Sequence, residues 1–431
     1  MLVDFTVGNF LSIKDEVTLS FVQEEQNSSN IIDIRNEKFS LYPCDVLYGP
    51  NASGKSNLMK AFRAFIHMVE RSNGFQVDDP ITAYNPFLLD KVTRDEPTSF
   101  EVEFITGGER YRYSFSFDRT EIVSESLVFY PEGRKAFLFK RKKGKPVKFG
   151  TYLKGEKKTI ANSLLSNVLF LSRAANMKHD QLLPVYRYLR DSIVFHTNMD
   201  SKDASFYNTT IMIDKMDSSF KKRVIQLLNA VDLNISEIIL EEDEQQASIL
   251  NSSALPKAIS SKIKQEIKRH FSIRPKLGHS IYSDSGTVVD THYFDLVKEE
   301  SGGTIKMYDL AGKIILTLEK GSVLIVDEFD SGLHPFVTQF IVKLFQDLQI
   351  NKHGAQLLVA THDPLLMDST ELDREQIWFT EKNKFGVTEM YSLGDFPKTS
   401  IRKQSSFVKW YLDGRLRAVP ATNFSSFLTG N

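Results

Sequence analysis

The stretch that most constrains this chain is Gly49-Pro50-Asn51-Ala52-Ser53-Gly54-Lys55-Ser56, which fits G-x-x-x-x-G-K-[ST]. Before it, Cys44-Asp45-Val46-Leu47-Tyr48 is short and mostly apolar and reads as a buried strand. After it, residues 57–66 carry apolar side chains at helical spacing. A strand, a glycine loop and a helix, in that order, are what this motif needs, and they set an α/β fold. Gly49 and Gly54 let the backbone turn tightly and present N–H groups to an anion. The helix start near Lys55 adds a partial positive charge. Asn51, Ala52, Ser53 and Asn57 complete the expected phosphate cradle. The Lys55 ammonium can reach the β- and γ-phosphates of a nucleotide, and the Ser56 hydroxyl can ligate Mg²⁺.

A second apolar run, Val323-Leu324-Ile325-Val326, ends in Asp327-Glu328. It reads as a buried parallel strand with acids at its carboxyl end, where ligands of α/β sheets bind. Asp327 is the candidate to hold Mg²⁺ through water or Ser56, and Glu328 the candidate to polarise an attacking water. A third run, residues 356–360, leads into Thr361-His362-Asp363, which offers His362 to a terminal phosphate. Ser301-Gly302-Gly303 opens a helical pattern; it reads either as a second anion site or as an ordinary helix cap.

The 431 residues suffice for one large or two medium domains. A net charge of −1 carries no general argument for a polyanionic partner. The single cysteine, Cys44, excludes an internal disulfide, and the absence of a basic leader or a spanning apolar run predicts a cytoplasmic protein without a membrane partner. Two strands are expected within residues 1–22. Residues 100–130 read as an antiparallel sheet with a Gly107-Gly108 hairpin turn. Residues 134–158 are strongly basic, which fits either a nucleic-acid surface or a solvated hairpin. Residues 160–190 look helical. Residues 203–288 read as a helical insertion, with helices at 219–231 and 256–270 around an acidic run.

The order of Asn9-Phe10-Leu11-Ser12, the glycine loop, Glu300–Thr304, Val323–Glu328, Leu333-His334-Pro335 and Thr361-His362-Asp363 resembles ATP-binding-cassette ATPases of the structural-maintenance, RecF and Rad-fifty type. It is most similar to the stand-alone prokaryotic AAA-type ATPases of anti-phage modules, such as RloA, AbiL and PARIS AriA. That resemblance implies an ABC-type head with an antiparallel β lobe and a helical insertion. The head would be divided as 1–202, 203–288 and 289–431. It further implies ATP and Mg²⁺ as cofactors and ATP hydrolysis with Glu328 as base and His362 as switch residue. A homodimer or higher homo-oligomer is implied, in which Ser301, Gly302 and Gly303 of one copy contact ATP on the other and Asp330 communicates across the interface. Regulation of a separate effector, a nuclease or toxin, is the implied role; a DNA-repair or DNA-clamp ATPase is the alternative. The signature loop departs from the Leu-Ser-Gly-Gly-Gln form, and no glutamine loop is evident; Gln76 and Asn85 are its only candidate counterparts.

Overall fold

The strand before the glycine loop lies inside a six-stranded sheet of the computed structural model, which describes residues 1–23, 30–34, 37–196, 207–243, 272–368, 372–397 and 406–419. The strand order is Ile193–His196, Val323–Val326, Gln356–Ala360, Cys44–Tyr48, Ile377–Lys382, Thr388–Ser392. Val323–Val326, Gln356–Ala360, Cys44–Tyr48 and Ile377–Lys382 run parallel; Thr388–Ser392 returns antiparallel. The first three of these are buried at every position, as strands covered on both faces must be. Their carboxyl ends therefore bring the glycine loop, Asp327-Glu328 and His362 to one edge.

A seven-stranded antiparallel sheet forms the second layer, in the order Lys145–Phe149, Ala136–Lys142, Ile122–Phe129, Glu109–Phe117, Thr98–Thr106, Leu2–Gly8, Val17–Ser20. Gly107 and Gly108 adopt φ of 61° and 82°, as a tight two-residue hairpin between Thr106 and Glu109 requires. The inner face is aromatic. The loop helix, Lys55–Arg71, stacks Phe62 on Phe5 at 3.7 Å and Phe65 on Phe115 at 5.4 Å. Leu47, Ile325, Leu358 and Ala360 of the parallel sheet belong to the same apolar cluster. One helix is thus buried against both layers, and its amino end is fixed at the sheet edge.

The expected run of helix over residues 160–190 is broken into Lys158–Asn162, Phe170–Asn176 and Leu182–Asp191. The cause is a buried carboxylate. Glu125 accepts the N–H groups of Phe170 at 2.7 Å and Leu171 at 3.0 Å, which starts a new helix there. Arg141 donates to the carbonyls of Leu165, Ser166 and Val168 just before it.

The chain divides into two compact units, and residues 196–319 with 330–341 form the second. Its helix Ser218–Asn229 matches the expected 219–231, with the Asp217 carboxylate capping the N–H groups of Ser219 and Phe220. The stretch is not purely helical, however. Ile235–Glu242, Ile273–Tyr282 and Val288–Asp295 form an antiparallel sheet, and the first two of these strands fall within the stretch expected to be helical. The start of the acidic run belongs to the first strand because the next strand neutralises it: Lys276 reaches Glu241 at 2.6 Å, and Glu241 lies opposite Arg274. The helix expected at 256–270 lies outside the described residues. Helix Gly302–Lys320 carries a buried charged group, Asp309, which accepts from Lys313 at 3.0 Å and meets His196 at 2.7 Å. No helix among the described residues is long and apolar enough to cross a membrane.

Two consequences can be measured. Phe62→Ala removes a fully buried ring and is expected to destabilise the protein by about 3–5 kcal/mol in denaturant unfolding. Asp45 is buried in the glycine-loop strand, and neither carboxyl oxygen finds a hydrogen-bond partner among the described residues. Burial holds its pKa well above the usual carboxylate range; the Trp378 indole beside it acts in the opposite direction. A raised pKa in the folded state means the unfolded chain loses this proton first, so stability falls as pH rises above about 4. Asp45→Asn is expected to flatten that fall between acid and neutral pH.

Candidate nucleotide site

Gly49 and Gly54 are required by contact as well as by backbone angle. Gly54 has φ of 120°, and a Cβ there would lie 2.5 Å from Cγ2 of Thr388. Gly49 has φ of 154°, and a Cβ there would lie 2.6 Å from Ser53 Oγ and collide with Thr380. The loop is therefore held against the last two strands of the sheet by side chains too small to push it away. Hydroxyl groups complete the attachment. Thr388 Oγ1 donates to the Ser53 carbonyl at 2.8 Å and lies 2.7 Å from Ser12 Oγ, which accepts from Asn57 Nδ2 at 2.6 Å. Ser53 Oγ pairs with Thr380 Oγ1 at 2.7 Å.

Lys55 is 7% exposed. Its ammonium donates to the carbonyls of Gly49 at 2.6 Å and Pro50 at 3.2 Å. The loop opens onto a cleft of about 530 Å³ lined by Asn51, Ala52, Ser53, Gly54, Lys55, Ser56 and Asn57. The other walls are Asp327, Glu328, Ala360, His362 and Lys382. Gly49 lies behind this lining and shapes the turn.

The two carboxylates reach the cleft through a strained turn. Glu328 has φ of 50°, a left-handed conformation that a glutamate rarely adopts. Its N–H donates to Asp327 Oδ1 at 3.1 Å, and the next residue, Phe329, donates to the Ala360 carbonyl at 2.8 Å. The turn leaves the Glu328 side chain exposed in the cleft and Asp327 half-buried beside it. Such outliers cluster where a side chain must be aimed. His362 is exposed on the turn that follows Gln356–Ala360; Tyr48 Oη donates to the Asp363 carbonyl at 3.1 Å and ties that turn to the loop strand.

Ser301, Gly302, Gly303 and Asp330 do not line the cleft; they belong to the second unit. There Ser301 Oγ caps its helix by accepting the Thr304 N–H at 3.1 Å. A Cβ on Gly303 would lie 2.7 Å from the Gly332 carbonyl, and Lys306 donates to the Ser331 carbonyl at 2.8 Å. The Ser-Gly-Gly start and the loop carrying Asp330 are thus packed on one another.

The donor set fits a nucleoside triphosphate with Mg²⁺. The helix start and two ammonium groups suit the phosphates, and Ser56 and Asp327 supply the hard oxygen donors that Mg²⁺ prefers. The close-fitting glycine at Gly54 keeps backbone N–H groups bare at the cleft floor. Sequence reasoning missed Thr380, Lys382 and Thr388, which lie more than three hundred positions from the loop and carry no motif. Only the folded sheet brings their strands under it.

This geometry defines a P-loop nucleotide site of the ATPase class. The chain belongs to the family described as "AAA domain, putative AbiEii toxin, Type IV TA system", whose model matches residues 46–368. Solved structures similar to the chain include the SMC head domain from Thermotoga maritima, at 15% identity and a TM-score of 0.38, covering 91% of this chain and 98% of that one. No curated protein sequence matches it.

Gly54→Ala is expected to abolish nucleotide binding, measured with a fluorescent ATP analogue, because the loop must leave Thr388 to accept a Cβ. Shortening Thr388 to serine in the same chain is not expected to restore it, because serine keeps the hydroxyl nearest that Cβ and φ of 120° strains alanine in any case.

Proposed function

We propose that the chain binds and hydrolyses ATP and uses that cycle to control a separate effector. The observation that carries this reading is the convergence of Lys55, Ser56, Asp327, Glu328 and His362 on a single cleft. The loop N–H groups and Lys55 hold the phosphates. Ser56 and Asp327 hold Mg²⁺, which when bound neutralises charge on the β- and γ-phosphates. Glu328 is the only exposed carboxylate in the lining and orients the attacking water as general base. His362, on the neighbouring strand end, contacts the terminal phosphate.

In this reading two copies close head to tail around ATP. Ser301, Gly302 and Gly303 of each copy bear on the nucleotide held by the other, and Asp330 relays its state. A bared helix start such as Gly302–Lys320, capped by Ser301, is chemically suited to a γ-phosphate. Loss of that phosphate removes the contact, so hydrolysis opens the pair. The family description names a putative toxin of a type IV toxin–antitoxin system, which supports a role within a small defence module in the cytoplasm.

Glu328→Gln tests the assignment. Turnover measured by phosphate release is expected to fall at least about 100-fold. Nucleotide binding should persist, and ATP-dependent dimers should accumulate in sedimentation. A variant that hydrolyses as fast as the wild type overturns the choice of base.

A further inference from the structure

The solvent face of the seven-stranded sheet carries a pattern that nucleotide hydrolysis does not use. Its register aligns side chains in rows across the strands. One row reads Lys145, Lys142, Ser124, Ser116. The next reads Lys148, Lys140, Ser126, Ser114. Lysine therefore stands directly opposite lysine twice in one hairpin, an arrangement that costs stability unless an anion covers it. Guarding the sheet edge would explain lysines on the outermost strand alone; it does not explain Lys140 and Lys142 on the strand inside.

Other cations of the same segment are already engaged. Arg141 points inward to the turn carbonyls of Leu165, Ser166 and Val168, and Lys143 pairs with Asp118 and Glu121. Lys157 donates to the Leu153 carbonyl. Lys142, Lys145 and Lys148 are exposed and have no ion-pair partner among the described residues, and Lys140 touches only the ring of Phe137. The serines beside them are small and half-buried, and Ser116 and Ser124 share a hydrogen bond at 2.7 Å, so a ligand can lie close to the sheet. Beyond them the face turns acidic at Glu101, which Arg112 pairs at 3.5 Å, and at Glu16. At the opposite side the hairpin borders a cleft of about 660 Å³ that Lys145 and Lys158 line together with Asn162 and Ser166.

We propose that this face binds the phosphodiester backbone of duplex nucleic acid, without reading its sequence. Four strands at sheet spacing span about 14 Å, a stiff platform for a row of regularly spaced phosphates. The two lysine rows contain no aromatic ring, and Phe137 in the row beside them already carries the Lys140 ammonium over its face, whereas single-strand surfaces stack bases on open aromatic faces. No apolar residue stands in the rows to enter a lipid bilayer.

The test uses the full chain and a fluorescent random-sequence DNA duplex, with binding read by anisotropy from about 50 to about 200 mM salt. The wild type is expected to bind, with log affinity falling linearly in log salt. The variant with Lys140, Lys142, Lys145 and Lys148 all changed to serine is expected to bind at least about 10-fold more weakly at the lower salt, with the slope shallower by about 0.9 for each phosphate no longer neutralised. Ser124→Glu together with Ser126→Glu, which leaves every lysine in place, should weaken binding comparably. Unchanged melting of both variants verifies the fold. Absent wild-type binding, variant affinity within about twofold of wild type with an unchanged slope, or equal preference for a single strand overturns the proposal. So does selective capture by anionic phospholipid vesicles with no duplex bound.

Discussion

The approach of the Gly54 backbone to Thr388 is the contact on which the nucleotide site depends. No side chain fits between them, so the loop lies flat against the end of the sheet. A short chain of hydroxyls then closes around it: Ser12, Thr388, Ser53 and Thr380, joined by Asn57. Each such bond contributes only about 0.5–1.5 kcal/mol, but together they fix a loop that would otherwise have many conformations. The aromatic helix behind the loop does the same on a larger scale. Phe62 and Phe65 press it onto the antiparallel sheet, so the helix start cannot shift without opening the core.

The parts of this architecture that read well from sequence are those with local causes. The glycine loop, the apolar strand ending in Asp327-Glu328 and the Gly107-Gly108 hairpin each carry their signal within about ten residues. Ser301 at its helix start is another case, since a cap acts on the N–H groups beside it. What did not read is non-local. Glu125 breaks a helical run some forty positions away by accepting its N–H groups. Lys276 lets the acidic Glu241 join a strand, although the acids alone suggest a linker. Thr388 and Lys382 enter the site through strand pairing, and nothing around either of them marks a ligand.

Charge in this chain follows a division of labour that composition hides. Glu125, buried in the core, is satisfied by two backbone N–H groups and the Tyr113 hydroxyl, and Arg141 stands 3.7 Å away. Asp45 in the loop strand lacks such backbone donors, and burial holds its pKa well above the usual carboxylate range. The basic segment divides in the same way, with some cations closing the fold and others left at the surface. A count of lysines could not separate these roles; the alternation of the strands does.

The internal bonds of Lys55 set a condition on how the site fills. Its ammonium donates to the Gly49 and Pro50 carbonyls. An ammonium carries three protons, so two carbonyls steer the side chain along the loop without accounting for all of its donors. A phosphate then meets a charge that is already in place and spends less binding energy on ordering it.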